Sequence, residues 1–122
     1  MVDRKALIRE YKNTPRPMGV YRIRNLQDER ALIGVSRDVP AALNRHRAQL
    51  RMQSHPQKQL QSDWNELGSE AFAFETLDLL EPPADAAGYD PTDDLRELER
   101  LWREKLAPEG DPGYRTAAGR VL

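Results

Sequence analysis

The segment from Met18 to Val35 constrains the fold more than any other part of the chain. It contains two short runs rich in β-branched and aromatic residues, Met18 to Asn25 and Arg30 to Val35, which flank a polar turn, Gln27-Asp28-Glu29. Two such runs joined by a short polar turn predict a β-hairpin. Ala71 to Leu80, with the sequence AFAFETLDLL, has the aromatics and period-two alternation of a third strand.

Three stretches in which apolar residues recur at helical spacing predict helices. The first follows a candidate N-cap, Asp38, and has Pro40 in its opening turn. The second follows a similar cap-and-proline signal at Ser54 to Pro56 and ends at Gly68. The residues that mark the three helical faces are, in chain order, Val39, Leu43, His46 and Leu50, then Leu60, Trp64 and Leu67, and then Leu95, Leu98, Leu101, Trp102 and Leu106.

The remaining segments complete the domain organisation. Asp3 to Lys12 predicts a short N-terminal helix, which ends before the prolines at positions 15 and 17. Glu81 to Pro91 is a loop rich in Pro, Ala and Asp, and residues 107–122 predict an irregular tail. The order of elements therefore predicts one α/β domain of the α+β type, with an extension at 1–17, a core at 18–106 and a short antiparallel sheet.

Composition excludes several classes of protein. The chain has 122 residues, 39% of them hydrophobic, and a net charge of −1, which favours one folded domain. The absence of cysteine excludes disulfides, thiolate zinc sites and cysteine nucleophiles. No apolar run approaches the roughly 20 residues of a membrane helix, and the first residues lack the apolar middle of a secretory signal. We therefore expect a soluble, cytoplasmic protein without membrane contact.

The near-zero net charge conceals two halves of opposite sign. Residues 1–58 contain 13 Lys or Arg and five Asp or Glu, whereas residues 59–122 contain six and 15. A basic half is expected where a polyanion docks. The same asymmetry is also typical of two solvated faces that attract each other across a fold.

Three residues occupy positions where a chemical role and a structural role are both reasonable. His46 lies on the apolar stripe of the first predicted helix, where a hydrogen-bonded core histidine is the simple interpretation. Glu99 lies between Leu95 and Trp102 on the stripe of the last helix, where a buried carboxylate needs a charge, a hydrogen-bond network or a metal. A boundary position at which Glu99 reaches water is the structural interpretation. Tyr21 on the first strand is an ordinary strand aromatic unless it serves a site.

Read in order along the chain, these residues match a known pattern. Gly19-Val20-Tyr21 and, after the hairpin turn, Leu32-Ile33-Gly34 resemble the two halves of the motif of the GIY-YIG endonuclease family. Two histidines and a glutamate follow at spacings similar to those of the homing-endonuclease branch, namely His46, His55 and Glu99. Glu99 stands three residues before Trp102. The resemblance covers about residues 19–114 and implies a small three-stranded antiparallel sheet flanked by helices.

The resemblance also implies a chemistry, the divalent-metal-dependent hydrolysis of a DNA phosphodiester. Such a reaction needs a base, positive charge on the phosphorane and a Lewis acid at the leaving oxygen. By position, Glu99 corresponds to the ligand of Mg²⁺ or Mn²⁺, and Tyr21 to the tyrosine that orients the nucleophile. His46 and His55 correspond to histidines that assist proton transfer and contact the substrate.

Three positions depart from the family pattern. Leu32 stands where the second motif tyrosine is expected, and Ala42 where a catalytic arginine is expected one turn before His46. Arg115 replaces the asparagine of a Gly-Tyr-Asn segment. Loss of one charge-stabilising donor typically costs about 10²–10³ in rate, so the sequence predicts weakened or lost cleavage. Arg45 and Arg47 lie about 100° from His46 around the helix and replace the arginine only in part.

Three hypotheses for function follow. The first is nucleic-acid binding, with DNA as the expected ligand and the preference between DNA and RNA left open, with lost or weakened cleavage and no cofactor. The second is an active endonuclease that uses Tyr21, His46, His55 and Glu99 with Mg²⁺ or Mn²⁺, helped by a neighbouring arginine. The third is a protein-interaction module whose partner surface is the acidic second half of the chain, with the loop at 85–94. Sequence specificity would come from a protein partner or a separate DNA-binding domain, and the oligomeric state is left open. The candidate phosphate contacts are Arg37, Arg45, Arg47, Arg51 and Lys58.

Overall fold

A three-stranded antiparallel sheet forms the centre of the structure, a computed structural model that describes residues 16–84, 87–106 and 113–114. The strands are β1 (Met18–Asn25), β2 (Ala31–Ser36) and β3 (Phe72–Leu80), in the order β2-β1-β3. This confirms the predicted α+β fold with a three-stranded antiparallel sheet. The predicted helix at Asp3 to Lys12 and most of the predicted tail lie outside the described residues.

The hairpin confirms the strongest sequence signal, with one shift. β1 has the predicted bounds, whereas β2 begins and ends one residue later than predicted. Backbone hydrogen bonds close the turn, with the Asn25 N–H donating to the Arg30 carbonyl at 2.8 Å and the Glu29 N–H donating to the Asn25 carbonyl at 2.9 Å. Arg30 is excluded from the strand because it belongs to the turn, where its side chain binds Asp28.

Helix α1 spans Val39–Arg51, α2 spans Lys58–Leu67 and α3 spans Thr92–Leu106. Asp38 caps α1 as predicted, by accepting a hydrogen bond from the Ala41 N–H. The predicted cap of α2 at Ser54 to Pro56 is wrong, because the Gln57 side chain accepts from the Leu60 N–H and begins the helix. Gly68, with a φ of 87°, ends α2, and a short 3₁₀ turn (Ser69–Ala71) leads into β3, so that this strand starts at Phe72 rather than at the predicted position 71.

Helices cover both faces of the sheet. Side chains of a strand alternate between faces, and Leu32 packs on the side of α1 and α2 whereas Ile33 packs on the side of α3. The last helix buries only part of its predicted stripe, since Leu101 is 48% and Leu106 is 39% exposed. No helix in the described ranges has the length and hydropathy to cross a membrane. The buried residues on the α1–α2 side are Ile23, Leu32, Leu50, Leu60, Trp64, Phe72 and Tyr114.

Gly19 allows the central strand to approach β3 closely. A Cβ atom at this position would lie 2.0 Å from the backbone oxygen of Asp78, too close for any other residue. The pairing of β1 with β3 shifts register just afterwards, between Val20 and Tyr21. The first glycine of the motif is therefore required by the backbone geometry that aims Tyr21 at the α1 side.

Candidate functional site

Tyr21, His46 and His55 form a buried chain of hydrogen bonds, which we call the relay. The Tyr21 hydroxyl lies 2.8 Å from Nε2 of His46, and Nδ1 of His46 lies 2.8 Å from Nε2 of His55. The three residues are 0%, 2% and 6% exposed, respectively. The structure thus brings together three of the four predicted catalytic residues.

Local structure places the two histidines. His46 lies on the buried stripe of α1 between Ala42 and Leu50. His55 lies in the α1–α2 connection, where its N–H donates to Oε1 of Gln61 at 3.1 Å. The amide nitrogen of the same glutamine donates to the Leu50 carbonyl at 3.0 Å and so ties the connection to the end of α1. Gln61 was not predicted as a site residue, because a glutamine in a helix does not by itself indicate a contact.

A backbone hydrogen bond sets the direction of the relay. The Gln57 N–H donates to Nδ1 of His55 at 3.0 Å, so Nδ1 carries no proton. Neutral His55 then donates from Nε2 to His46, and His46 donates from its own Nε2 to the oxygen of Tyr21. The Tyr21 hydroxyl therefore keeps its own proton to donate outward. The relay is ordered to support a neutral tyrosine rather than to remove its proton.

Burial keeps every member of the relay uncharged at neutral pH. It lowers the pKa of His46 to about 4, helped by the repulsion that a proton on His46 would meet from a protonated His55 and from Arg45. Burial also lowers the pKa of His55. It raises the pKa of Tyr21 to about 12, with opposing contributions from Arg45, which lowers it, and Glu99, which raises it. Arg45 and Glu99 are thus the charges that act on the relay from outside.

We expect acid to destabilise the fold through His46. Because its pKa is about 4 in the folded chain and 6.5 in the unfolded chain, the unfolded state takes up the proton first as the pH falls below 6.5. The free energy of unfolding should fall by about 2 kcal/mol between pH 7 and pH 5 from this residue alone. Urea unfolding at a series of pH values measures this loss. His46→Gln should show a smaller loss over the same range, and equal losses in both proteins would contradict the assignment.

Gly34 and Leu32 surround the tyrosine of the relay. A Cβ at Gly34 would lie 2.5 Å from the Tyr21 hydroxyl oxygen, so the second motif glycine makes room for that group. Leu32, at the position of the second motif tyrosine, is 1% exposed and belongs to the core on the α1–α2 side. Ala42 is also 1% exposed and packs with Tyr21 and Val39. Neither departure from the family pattern leaves a polar group at its position.

Glu99 lies on α3, close enough for its charge to act on Tyr21. Its side chain is 12% exposed, and Oε1 accepts from Nε and Nη2 of Arg103 at 3.0 and 2.8 Å. The same Nη2 donates to the Ile33 carbonyl on β2 at 2.8 Å. Sequence reasoning missed Arg103, although its position four residues after Glu99 is a signal for an intrahelical ion pair.

The residues around Glu99 do not fit a divalent ion as they are arranged. Mg²⁺ is held by one or two carboxylates together with water and phosphate oxygens. Here the charge of Glu99 is already neutralised by Arg103, whose Nε and Nη2 both donate to Oε1 of the carboxylate. The metal-binding role of Glu99 therefore stays a prediction.

The five predicted phosphate contacts have different environments. Arg37 binds Asp90 and Thr92, both at 2.8 Å, and Arg47 stacks over the Phe74 ring at 4.4 Å. Arg45, Arg51 and Lys58 are exposed, and none of them forms an ion pair within the described residues. We refer to these three residues as the basic surface.

A second buried polar cluster joins residue 114 to the sheet. The Tyr114 hydroxyl donates to Asp63 and accepts from Nδ2 of Asn25 at 3.0 Å. Arg30 donates to the same carboxylate at 2.8 Å and lies over the Tyr114 ring. Asp63 is 6% exposed and Tyr114 is 1% exposed. This Asp63 cluster is structural, and the sequence pattern did not reveal that Asp63 would be buried. Arg115, the third departure from the family pattern, lies outside the described residues.

The sheet order, the helices on both faces and the placement of Tyr21 between His46 and Gly34 define the fold of a GIY-YIG nuclease catalytic domain. The solved catalytic domain of homing endonuclease I-TevI is similar to this chain with a TM-score of 0.62 and 27% identity, over 82% of this chain and 98% of that one. A glutamate-to-alanine mutant of the I-TevI catalytic domain, an intron endonuclease, has a TM-score of 0.67 and 23% identity, over 87% and 99%.

No family model and no curated protein sequence matches the chain. The structural similarity confirms the resemblance at the level of the fold. It supports a nuclease-family domain.

Proposed function

We propose that this domain binds the phosphate backbone of nucleic acid, with DNA as the expected ligand, and that it cleaves the backbone weakly or not at all. The observation that carries the proposal is the environment of Tyr21. Its side chain has no exposed surface, and the methyl group of Ala42 packs against it at the position where the family pattern has an arginine.

Weak cleavage follows from the charges that the reaction needs. Phosphoryl transfer is accelerated mainly by positioned positive charge around the phosphate. Ala42 supplies none, and Leu32 supplies no hydroxyl. With a pKa of about 12, Tyr21 is protonated at neutral pH and is a poor general base. Loss of one such group costs about 10²–10³ in rate, and the two losses together cost more, although such effects do not simply add.

Binding requires less than cleavage. Phosphate contacts need only accessible cations, and they position a nucleic acid without reading its sequence. The basic surface offers three, with Arg45 and Arg51 both on the exposed part of α1, about 9 Å apart along the helix axis. The charge of Arg45 also lowers the pKa values of Tyr21 and His46, so it lies near both side chains. A nucleic-acid backbone bound at Arg45 would therefore pass beside the relay.

Salt dependence tests the binding proposal. If Arg45, Arg51 and Lys58 each neutralise a phosphate, the logarithm of the binding constant should fall with the logarithm of salt concentration with a slope of about −2.7. Fluorescence anisotropy with a labelled duplex DNA between about 50 and 200 mM salt measures this slope. An RNA duplex of the same sequence reports which nucleic acid is preferred. Absence of binding to either duplex at the lowest salt would overturn the proposal.

An active but slow endonuclease is the second candidate, and the intact relay favours it. A plasmid-nicking assay in Mg²⁺ or Mn²⁺ separates the two candidates. We expect the wild type to nick the plasmid no faster than Tyr21→Phe or Glu99→Ala. Nicking by the wild type that both substitutions abolish would support the second candidate instead. The protein-interaction hypothesis stays a prediction. Two side chains of the loop at 85–94 already have partners within the domain, since Asp90 binds Arg37 and Asp94 accepts a hydrogen bond from Tyr89.

A further inference from the structure

Arg103 is held in a way that distinguishes it from the other arginines of α3. Arg100 pairs with Glu97 and Glu104 on the open surface, where all three side chains are more than half exposed. Arg103 and Glu99 are only 30% and 12% exposed. Their contact is therefore shielded from water far better than a typical surface ion pair.

Arg103 also has an acceptor outside its own helix. Nη2 donates both to Glu99 and to the Ile33 carbonyl, and Ile33 directly precedes Gly34, the residue beneath the Tyr21 hydroxyl. The guanidinium is thus fixed between α3 and β2, at the margin of the relay. An ion pair that served only to stabilise α3 would not need the contact with β2.

We propose that the Arg103 guanidinium is the resident cation of Glu99, that it excludes a divalent ion from this carboxylate, and that phosphate binding by the domain is metal-independent. The last part rests on the proposed function. The first two parts concern only the side chains of this chain.

Electrostatics supports the exclusion. Within the described residues, both hydrogen bonds to Glu99 end on Oε1, so a metal ion would have to bind at Oε2 of the same carboxylate. One negative charge would then face a guanidinium and a divalent ion together. Because the carboxylate is only 12% exposed, water screens the repulsion between these two cations poorly. Displacing Arg103 would instead remove the partner of the Ile33 carbonyl.

Metal binding without nucleic acid tests the exclusion directly. Isothermal titration of the wild-type chain with Mn²⁺ should show no site that depends on Glu99. Arg103→Met keeps an unbranched side chain but removes the charge. It should create one Mn²⁺ site, with an affinity at least about tenfold higher than that of any Mn²⁺ binding by the wild type. Adding Glu99→Gln to Arg103→Met should abolish that site. Arg100→Met makes the same replacement beside two exposed glutamates and should create none.

Several outcomes would overturn the exclusion. Mn²⁺ binding by the wild type that Glu99→Gln alone abolishes would do so without Arg103→Met, so the test stands even if that variant unfolds. A folded Arg103→Met variant, verified by circular dichroism, that gains no site would do so as well.

Metal independence of phosphate binding is tested separately. Duplex binding by the wild type should be at least as strong in EDTA as in millimolar Mg²⁺ at constant ionic strength, because Mg²⁺ then acts only as a competitor for the phosphates. A requirement for Mg²⁺ would overturn this part. If the duplex binds under neither condition, the proposed function fails, while the Mn²⁺ titration still decides the role of Arg103.

Discussion

Replacing Arg45, Arg51 and Lys58 together by glutamate is expected to weaken duplex binding by about 10²–10³-fold at moderate salt. Each replacement removes a cation that releases a counterion from the nucleic acid, and it adds a negative charge that repels the backbone. The same variant should lose most of the salt dependence of binding. Fluorescence anisotropy over a salt series measures both quantities.

A matched variant on the other side of the sheet separates local from global charge. Replacing Arg96, Arg100 and Lys105 by glutamate changes the net charge by the same amount. All three residues are exposed on α3, which packs on the face opposite α1 and α2. We expect this variant to weaken binding by less than about fivefold, through the overall field alone. Equal losses in the two variants would show that the basic surface is not where the phosphates bind.

Asp63→Ala is expected to lower the free energy of unfolding by about 3 kcal/mol or more. The substitution leaves the Tyr114 hydroxyl without its acceptor and removes a buried carboxylate from beside Arg30. Breaking a buried charge pair by removing one partner is costly because the other group is left without compensation. Urea unfolding measures the change.

Asp28→Ala is the control for this effect, since Asp28 binds the same arginine at 2.7 Å but is 41% exposed. Exposed ion pairs contribute about 0–1 kcal/mol, so this substitution should cost little. If the two substitutions have the same cost, the Asp63 cluster does not anchor Tyr114 to the sheet as the structure indicates.

The strands and the first helix could be predicted from sequence because their signals are local. β1 has its predicted bounds, since the alternation and the turn that define it lie within a few residues. Asp38 and Gly68 are predicted helix ends because capping depends on the neighbouring N–H and C=O groups. Ser54 misled the prediction because its hydroxyl donates to the Gln49 carbonyl at the end of α1 and does not cap α2.

The candidate site could be predicted only in part. The order of Tyr21, His46 and His55 identified the members of the relay, but the direction of its hydrogen bonds depends on the Gln57 N–H. The loss of the arginine was readable at Ala42. The sequence did not predict that Arg37 would bind Asp90, which lies 53 residues further along the chain.

The sequence by itself determined which elements form within the described residues, in what order, and which residue types occupy the positions of the family motif. Only the tertiary structure decided the charge of the candidate site. Arg103 meets the Ile33 carbonyl, and Glu99 the neighbourhood of Tyr21, because α3 packs across β2, and Arg30 meets Asp63 because α2 packs against the other face. Hydrophobic periodicity depends on residues that are close together in sequence, whereas the partners of a buried charge depend on the path of the whole chain.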